Sequence, residues 1–293
     1  MVQLKQLLFV ALAGCLGATA SFAKTSEPKM QPTSEPITIG LSHQLYAHGL
    51  GEVRTVNVVL PASYAKAPSR RYPVLYLIDG GLEQDLLHIA GVVQLGAIWG
   101  RSAEVIVVGI ETKDRRRELV GPTQDPELLS RYPTAGSSAK FRTFLRDRVK
   151  PFVEEQYRTS GADAILGESL AGLFVIETYL EEPELFGSYG AIDPSLWWDK
   201  EALSQTTIRK VDERHKGHAL MLAVAKEQSE EPAAYQRTIS ALQRKGMTFC
   251  LAIRPEHTHA TIYQQTSPEA IQYLMPPVDE PTDFRINCTE KMP

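Results

Sequence analysis

Ser169 stands in the run Leu166-Gly167-Glu168-Ser169-Leu170-Ala171-Gly172, which follows a short apolar stretch and opens an apolar helix. A serine on a tight strand-to-helix turn is held out for nucleophilic attack, and the sharp backbone there calls for small neighbours. Gly167 supplies one; Ala171 occupies the place where a second glycine is usual, with Gly172 next. A protonated hydroxyl is a poor nucleophile and needs a base. Of the seven histidines, only His215, His218, His257 and His259 lie beyond Ser169. Around such a turn the chain order is serine, acid, histidine, with the histidine after the last strand. That order points to His257 or His259 as base. The acid should follow the preceding strand, where Glu227 is the nearest carboxylate and Glu230 and Glu231 are its rivals. It would fix the imidazole tautomer and stabilise imidazolium. The same three glutamates equally suit the cap of the next helix. A developing oxyanion needs donors, expected from the Leu170 N–H and from Gly81 in the Asp79-Gly80-Gly81 loop, with Leu82 as the alternative.

His257-Thr258-His259 also has a metal reading. On an extended chain, residues i and i+2 point the same way. A site of that kind needs a third ligand, and no further His or Cys cluster accompanies the pair, so the expectation is no metal and no cofactor.

Positioning these residues takes an alternation of strands and helices. Apolar runs predict strands at 53–60, 74–78, 105–110, 164–166, 219–225 and 248–253. Runs with no polar alternation suit strands buried on both faces. Helical spacing predicts helices at 82–95, 141–157 (broken by Pro151), 170–181 and 233–245, the last stopping at Gly246. The alternation implies one α/β domain over 37–293, a mostly parallel central sheet with helices on both faces.

Composition excludes several other classes. The chain has 293 residues, 43% hydrophobic and 23% charged, with a net charge of -4. Disorder needs fewer apolar residues, and a nucleic-acid binder usually carries a basic surface. Three cysteines are too few for a disulfide scaffold.

The first 23 residues read as an export signal: Lys5, an apolar run from Leu7 to Ala18, then Ser21-Phe22-Ala23 for cleavage. The run is shorter than the roughly 20 residues a membrane span needs. Leu12-Ala13-Gly14-Cys15 offers a competing reading, lipid anchoring through Cys15. Residues 24–36 read as a linker and those from about 275 as a surface tail. Cys250 and Cys288 are either disulfide-bonded or a buried and an exposed thiol, since spacing alone does not bring Cα atoms together.

Several segments together resemble the putative-esterase family of α/β-hydrolases, which includes siderophore esterases and esterase-D-like enzymes. They are Val56–Tyr64 (VNVVLPASY), Tyr72–Gly80 (YPVLYLIDG), Val107-Val108-Gly109-Ile110 with Arg115-Arg116-Arg117 behind it, Gly167–Val175 (GESLAGLFV) and Pro194-Ser195-Leu196-Trp197-Trp198. The likeness runs from about 50 to 275 and implies the α/β-hydrolase fold. His259-Ala260-Thr261 matches the family's His-Gly-Ser-type motif, which selects His259 over His257. The resemblance implies hydrolysis of small-molecule esters, in some members trilactone siderophores, with Arg115, Arg116, Arg117, Trp197 and Trp198 available to catecholate complexes. Two other uses of such a site are acyl transfer to an alcohol and plain binding on a hydrolase scaffold.

Overall fold

In the computed structural model, residues 34–230, 233–277, 286, 288 and 289 are described. The expected signal peptide, Cys15, and most of the linker lie outside them. The chain divides into a leading unit, Met1–Thr38, and a body, Ile39–Pro293. Described residues of the leading unit have no regular structure.

The apolar runs become the centre of the body. Eight strands form one sheet: β1 (Leu41–Ala47), β2 (Glu52–Val59), β3 (Tyr72–Ile78), β4 (Ile106–Ile110), β5 (Thr159–Glu168), β6 (Ser188–Ile192), β7 (Ala219–Ala225) and β8 (Phe249–Arg254). Their spatial order is β1-β2-β4-β3-β5-β6-β7-β8. The β1–β2 and β2–β4 pairings are antiparallel and the rest parallel. Every residue of β4 is buried, as is nearly all of β3 and β7, because helices cover both faces.

The helices are α1 (Leu86–Ile98), α2 (Arg115–Glu118), α3 (Pro126–Arg131), α4 (Ser138–Phe144), α5 (Lys150–Gln156), α6 (Leu170–Glu181), α7 (Trp198–Lys210), α8 (Lys226–Glu230), α9 (Ala233–Arg244) and α10 (His259–Leu274). Two apolar layers result. One packs Val74, Tyr76, Ile165 and Leu222 against Phe141, Phe174 and Tyr235. The other packs Leu75, Leu77, Leu166 and Ala223 against Ile89, Ile262 and Ile271. This is the expected α/β-hydrolase arrangement, a mostly parallel sheet between helices.

Pro151 does not break its helix. A π-helical turn at Leu145–Val149 joins α4 to α5, and Pro151 falls in the first turn of α5. Proline lacks an N–H and crowds the carbonyl four residues back, and a widened turn relieves both.

Cys250 and Cys288 are joined, with Cα atoms 5.0 Å apart. Beside them Thr289 pairs with Leu251 of β8, its N–H donating to the Leu251 carbonyl at 2.7 Å.

Candidate active site

The carboxyl ends of β3, β5, β6, β7 and β8 bring the chemistry together. β5 runs to Glu168, Ser169 makes the turn, and α6 begins at Leu170. Ser169 has φ 59° and ψ -118°, a strained conformation for a residue with a side chain. Its neighbours explain how the turn closes. A Cβ on Gly167 would lie 2.7 Å from both the carbonyl carbon and the Cβ of Ala171, so Gly167 must be bare whatever stands at 171. A Cβ on Gly172 would lie 3.1 Å from Pro194 Cα and from the Ile192 carbonyl oxygen. Close helix-to-strand approach therefore falls to Gly172, and alanine at 171 is accommodated.

Ser169 N–H donates to the Ile192 carbonyl at 3.0 Å, tying the turn to the end of β6. Asp193 follows, at φ 42° and fully buried. Its Oδ1 accepts the Ala225 N–H at 2.8 Å, and its Oδ2 lies 2.6 Å from His259 Nδ1. The imidazole is half exposed while the carboxylate beneath it is sealed. Asp193 therefore holds the His259 ring above its ordinary pKa, with Glu168 and Glu227 adding to the rise against burial. Nδ1 is engaged below, which leaves Nε2 as the nitrogen free for proton transfer.

Glu227 does not take that place. Its Oε2 accepts the backbone N–H of His259 at 3.0 Å, serving the first turn of α10, where N–H groups have no intrahelical acceptor. The carboxylate on the ring is Asp193, one strand earlier in the chain than expected. β6, the sequence SYGAI, is short and carries Ser188 and Gly190, so it shows no apolar run. The available signal was Ile192-Asp193-Pro194-Ser195, an acid directly after an apolar pair and ahead of the Trp-Trp segment.

His257 goes elsewhere. The chain turns after Arg254 and enters α10 at His259, so the two histidines are not on an extended segment, and His257 sits 4.0 Å from Glu256. Among the described residues no cluster of three or more His, Cys, Asp or Glu could hold a metal ion.

The loop after β3 differs from expectation in one detail. Gly81 N–H donates to Gln84 Oε1 at 2.9 Å, so it is already occupied in this arrangement. Gln84 Nε2 in turn donates to the Thr112 carbonyl at 3.0 Å. Leu82, the alternative donor, is next in the loop and exposed. Leu170 is the first residue of α6, so its N–H is among those the helix leaves unbonded.

Ser195 joins the site unforeseen. Its Oγ is 3.2 Å from Ser169 Oγ, and its N–H donates to the Ser169 carbonyl at 3.0 Å. Trp197 is half exposed, whereas Trp198 is buried, its ring centroid 5.9 Å from that of Tyr132. Only Trp197 offers an open aromatic face. Leu173, one helical turn after Ser169, lines with Trp198, Glu177 and Leu203 a cleft of about 260 Å³ between α6 and α7.

The three arginines separate. Arg115 Nε donates to Asp79 Oδ2 at 2.9 Å, and its Nη2 to the Glu168 carbonyl at 3.4 Å. Arg116 lies over the Tyr132 ring, 4.3 Å from its centroid. Arg117 pairs with Glu52 and Glu118. Arg115 alone of the three reaches the elbow.

The chain is similar to several known proteins. The model of the putative-esterase family matches residues 47–259. The ferri-bacillibactin esterase BesA of Bacillus subtilis is 29% identical over 192 residues, 60% of this chain and 65% of that esterase. The match thus spans just under two thirds of its length. The apo-salmochelin esterase of Escherichia coli O6:H1 is 30% identical over 149 residues, 47% of this chain and 46% of the other. Among solved structures, an IroE-like serine hydrolase from Shewanella oneidensis superposes with a TM-score of 0.71 at 26% identity, covering 80% of each chain. With the family model spanning most of its length, the chain belongs to the putative-esterase family.

Proposed function

We propose that this chain is a serine hydrolase of carboxylic esters, with siderophore esters, the substrates named for several of its relatives, as its substrate class. The observation that carries the reading is Ser169 on its strained turn, one strand from an Asp193–His259 pair. Ser169 Oγ attacks the ester carbonyl while His259 Nε2 takes its proton. The Leu170 and Leu82 N–H groups receive the oxyanion. His259 returns the proton to the leaving alcohol, and water, deprotonated by the same nitrogen, releases the acid from the serine. Asp193 holds the ring throughout. Half-exposed Trp197 and Arg115, which reaches the Glu168 carbonyl, are the residues assigned to contact the substrate.

The test is hydrolysis of short and medium p-nitrophenyl esters by the protein beside Ser169→Ala. The expected result is a loss of kcat of about 10³-fold or more with unchanged circular dichroism. A fluorophosphonate probe should label Ser169 in the native protein and nothing in the mutant. Equal activity in both proteins overturns the assignment.

Export to an oxidising compartment belongs to the same proposal. The Cys250–Cys288 bond and the signal-like start support it, because structural disulfides are rare in reducing cytosol. N-terminal sequencing of exported protein should begin at Lys24; a lipidated Cys15 terminus would establish the anchored form instead.

A further inference from the structure

We propose that the Ser195 hydroxyl is a catalytic donor to Ser169 Oγ, bonding that oxygen in each step where it carries negative charge. This role rests on Ser169 as the nucleophile and His259 as the base.

One tripeptide after β6 addresses both members of that pair. Asp193 Oδ2 holds the His259 ring at 2.6 Å, and two residues on, Ser195 Oγ lies 3.2 Å from Ser169 Oγ. Among the described residues the two hydroxyls are each other's only hydrogen-bond partners. Ser195 is 2% exposed, so water does not stand in for Ser169.

The loop around Ser195 is fixed from several sides. Its N–H donates to the Ser169 carbonyl at 3.0 Å, and the Trp198 N–H donates to the Ser195 carbonyl at 3.1 Å. The buried Tyr235 hydroxyl donates to the Pro194 carbonyl at 2.6 Å. The Asp193 N–H donates to the Ala223 carbonyl at 2.9 Å. Pro194 has its own φ locked between them. Ser195 cannot withdraw from Ser169 without breaking backbone bonds, and turning its hydroxyl away would leave a buried polar group unpaired.

The available hydrogens set the direction of the bond. A serine hydroxyl has one donor hydrogen and two acceptor lone pairs. When Ser169 points its hydrogen at His259 Nε2, the hydrogen between the two serines comes from Ser195. As the bond from Oγ to the carbonyl carbon forms, the Ser169 proton passes to His259 and the carbonyl π pair moves to the oxyanion. In deacylation His259 takes a proton from water, and the hydroxide adds to the same carbon. The Oγ–carbon bond then breaks, its electron pair returns to Oγ, and His259 protonates it. Ser195 keeps its own proton throughout and supplies only the hydrogen bond.

Distance decides where that bond counts. At 3.2 Å the contact is longer than a neutral O–H···O bond, usually about 2.7–2.8 Å. Charge on the acceptor draws such bonds in to about 2.5–2.7 Å and roughly doubles their strength. A bond weak to neutral Oγ and strong to charged Oγ lowers the barrier instead of tightening substrate binding.

The experiment compares Ser195→Ala with wild type and Ser169→Ala on p-nitrophenyl acetate. In Ser195→Ala kcat should fall about 10–100-fold, the range for a lost hydrogen bond to a charged group, with KM within about twofold of wild type. Inactivation by a fluorophosphonate, which needs the same nucleophile and no ester, should slow in the same proportion. The acid limb of the pH profile should stay in place, since the charges acting on His259, Asp193, Glu168 and Glu227, are untouched. Ser195→Cys, a weaker donor of similar shape, should change kcat in the same direction and carries the test if the alanine variant does not fold. A kcat and a labelling rate within about threefold of wild type overturn the donor role. A loss confined to KM or to the urea midpoint also overturns it, because that marks a structural part. Full activity in Ser169→Ala overturns the hydrolase reading and the donor role together. An inactive Ser169→Ala beside a fully active Ser195→Ala overturns the donor role alone.

Discussion

His259 Nδ1 and Asp193 Oδ2 lie 2.6 Å apart although 66 residues separate them in the chain. The Asp193 carboxylate is sealed from solvent, and its other oxygen is spent on the Ala225 N–H. It is fixed from both sides and cannot follow a moving ring, so the ring must stay with it.

Asp193→Asn should therefore lower kcat/KM by about 10³–10⁴-fold, through loss of the correct tautomer and of imidazolium stabilisation. The acid limb of the pH profile should move with it. Activity requires the neutral base, and Asp193 is the leading cause of the raised His259 pKa. Without that charge the ring loses its proton at lower pH, and the limb shifts downward. Glu227→Gln loses a bond to the backbone N–H of His259 and the last-ranked of the charges that raise its ring, and should cost less than about 10-fold and shift the limb downward less than Asp193→Asn does. A steeper loss in the Glu227 variant would reverse the two roles.

The difference between those residues also shows what the sequence conveys. β3, β4 and β7 announce themselves because strands covered on both faces must be apolar throughout. β6 is equally buried but does so with Gly190, since a Cβ there would lie 2.6 Å from Leu274 Cδ1 and 2.9 Å from Leu166 Cδ1. Its neighbours supply the bulk, so its own residues do not look like a core strand. Missing β6 displaces the acid by one strand, from Asp193 to Glu227. β1 escapes for the opposite reason: it is an edge strand, mostly exposed, with no apolar run to detect. Ser169 and Leu170 are marked by a local turn, chain order narrows the base to His257 or His259, and only the family resemblance chooses His259. The occupied Gly81 N–H depends on Gln84 folding back, which spacing does not disclose.

Arg54 is fully buried, and both its terminal nitrogens reach Glu118, at 2.7 and 2.6 Å. Glu118 also accepts the N–H groups of Lys113 and Asp114, closing the four-residue turn that carries Arg115. Arg54 also reaches Glu52 at 2.7 Å and the Glu111 carbonyl at 2.6 Å, so Glu118→Ala removes one of the two carboxylates on a buried guanidinium and should cost about 2–3 kcal/mol. Because the turn also aims Arg115 at Asp79, the variant should lose activity at temperatures where it is still folded. Urea midpoints and kcat/KM measured together check both. Loss of stability with full activity would separate Arg115 from the turn.

The disulfide closes a loop across 38 residues and fixes Thr289 against the edge of β8. Constraining the unfolded chain over such a loop contributes about 2–4 kcal/mol. Reduction, or the Cys250→Ala/Cys288→Ala pair, should lower the melting temperature and speed amide exchange at Thr289. Activity at 25 °C should persist, since the elbow, Asp193 and His259 are held by bonds that do not involve the tail. An unchanged melting temperature in reductant would contradict this.

Glu168 couples the site to stability through pH. Burial raises its folded pKa to about 7, above the ordinary 4.5 of the unfolded chain. A carboxyl raised on folding contributes stability that is present below the unfolded pKa and is lost as pH climbs through the folded one. The wild-type protein should therefore weaken between pH 4.5 and about 8, as Glu168 is forced to ionise inside the site. Glutamine keeps the shape of the acid and never ionises. Glu168→Gln should thus be stabilised relative to wild type by about 1–3 kcal/mol at pH 8, with the difference shrinking toward zero near pH 5. His259, held up chiefly by Asp193, titrates in both proteins, and Glu168→Gln removes only a lesser contribution to its raised pKa. Denaturant melts of the pair at pH 5, 6.5 and 8 check this. A difference independent of pH would mean that glutamine acts through packing, and that Glu168 is already charged throughout the range.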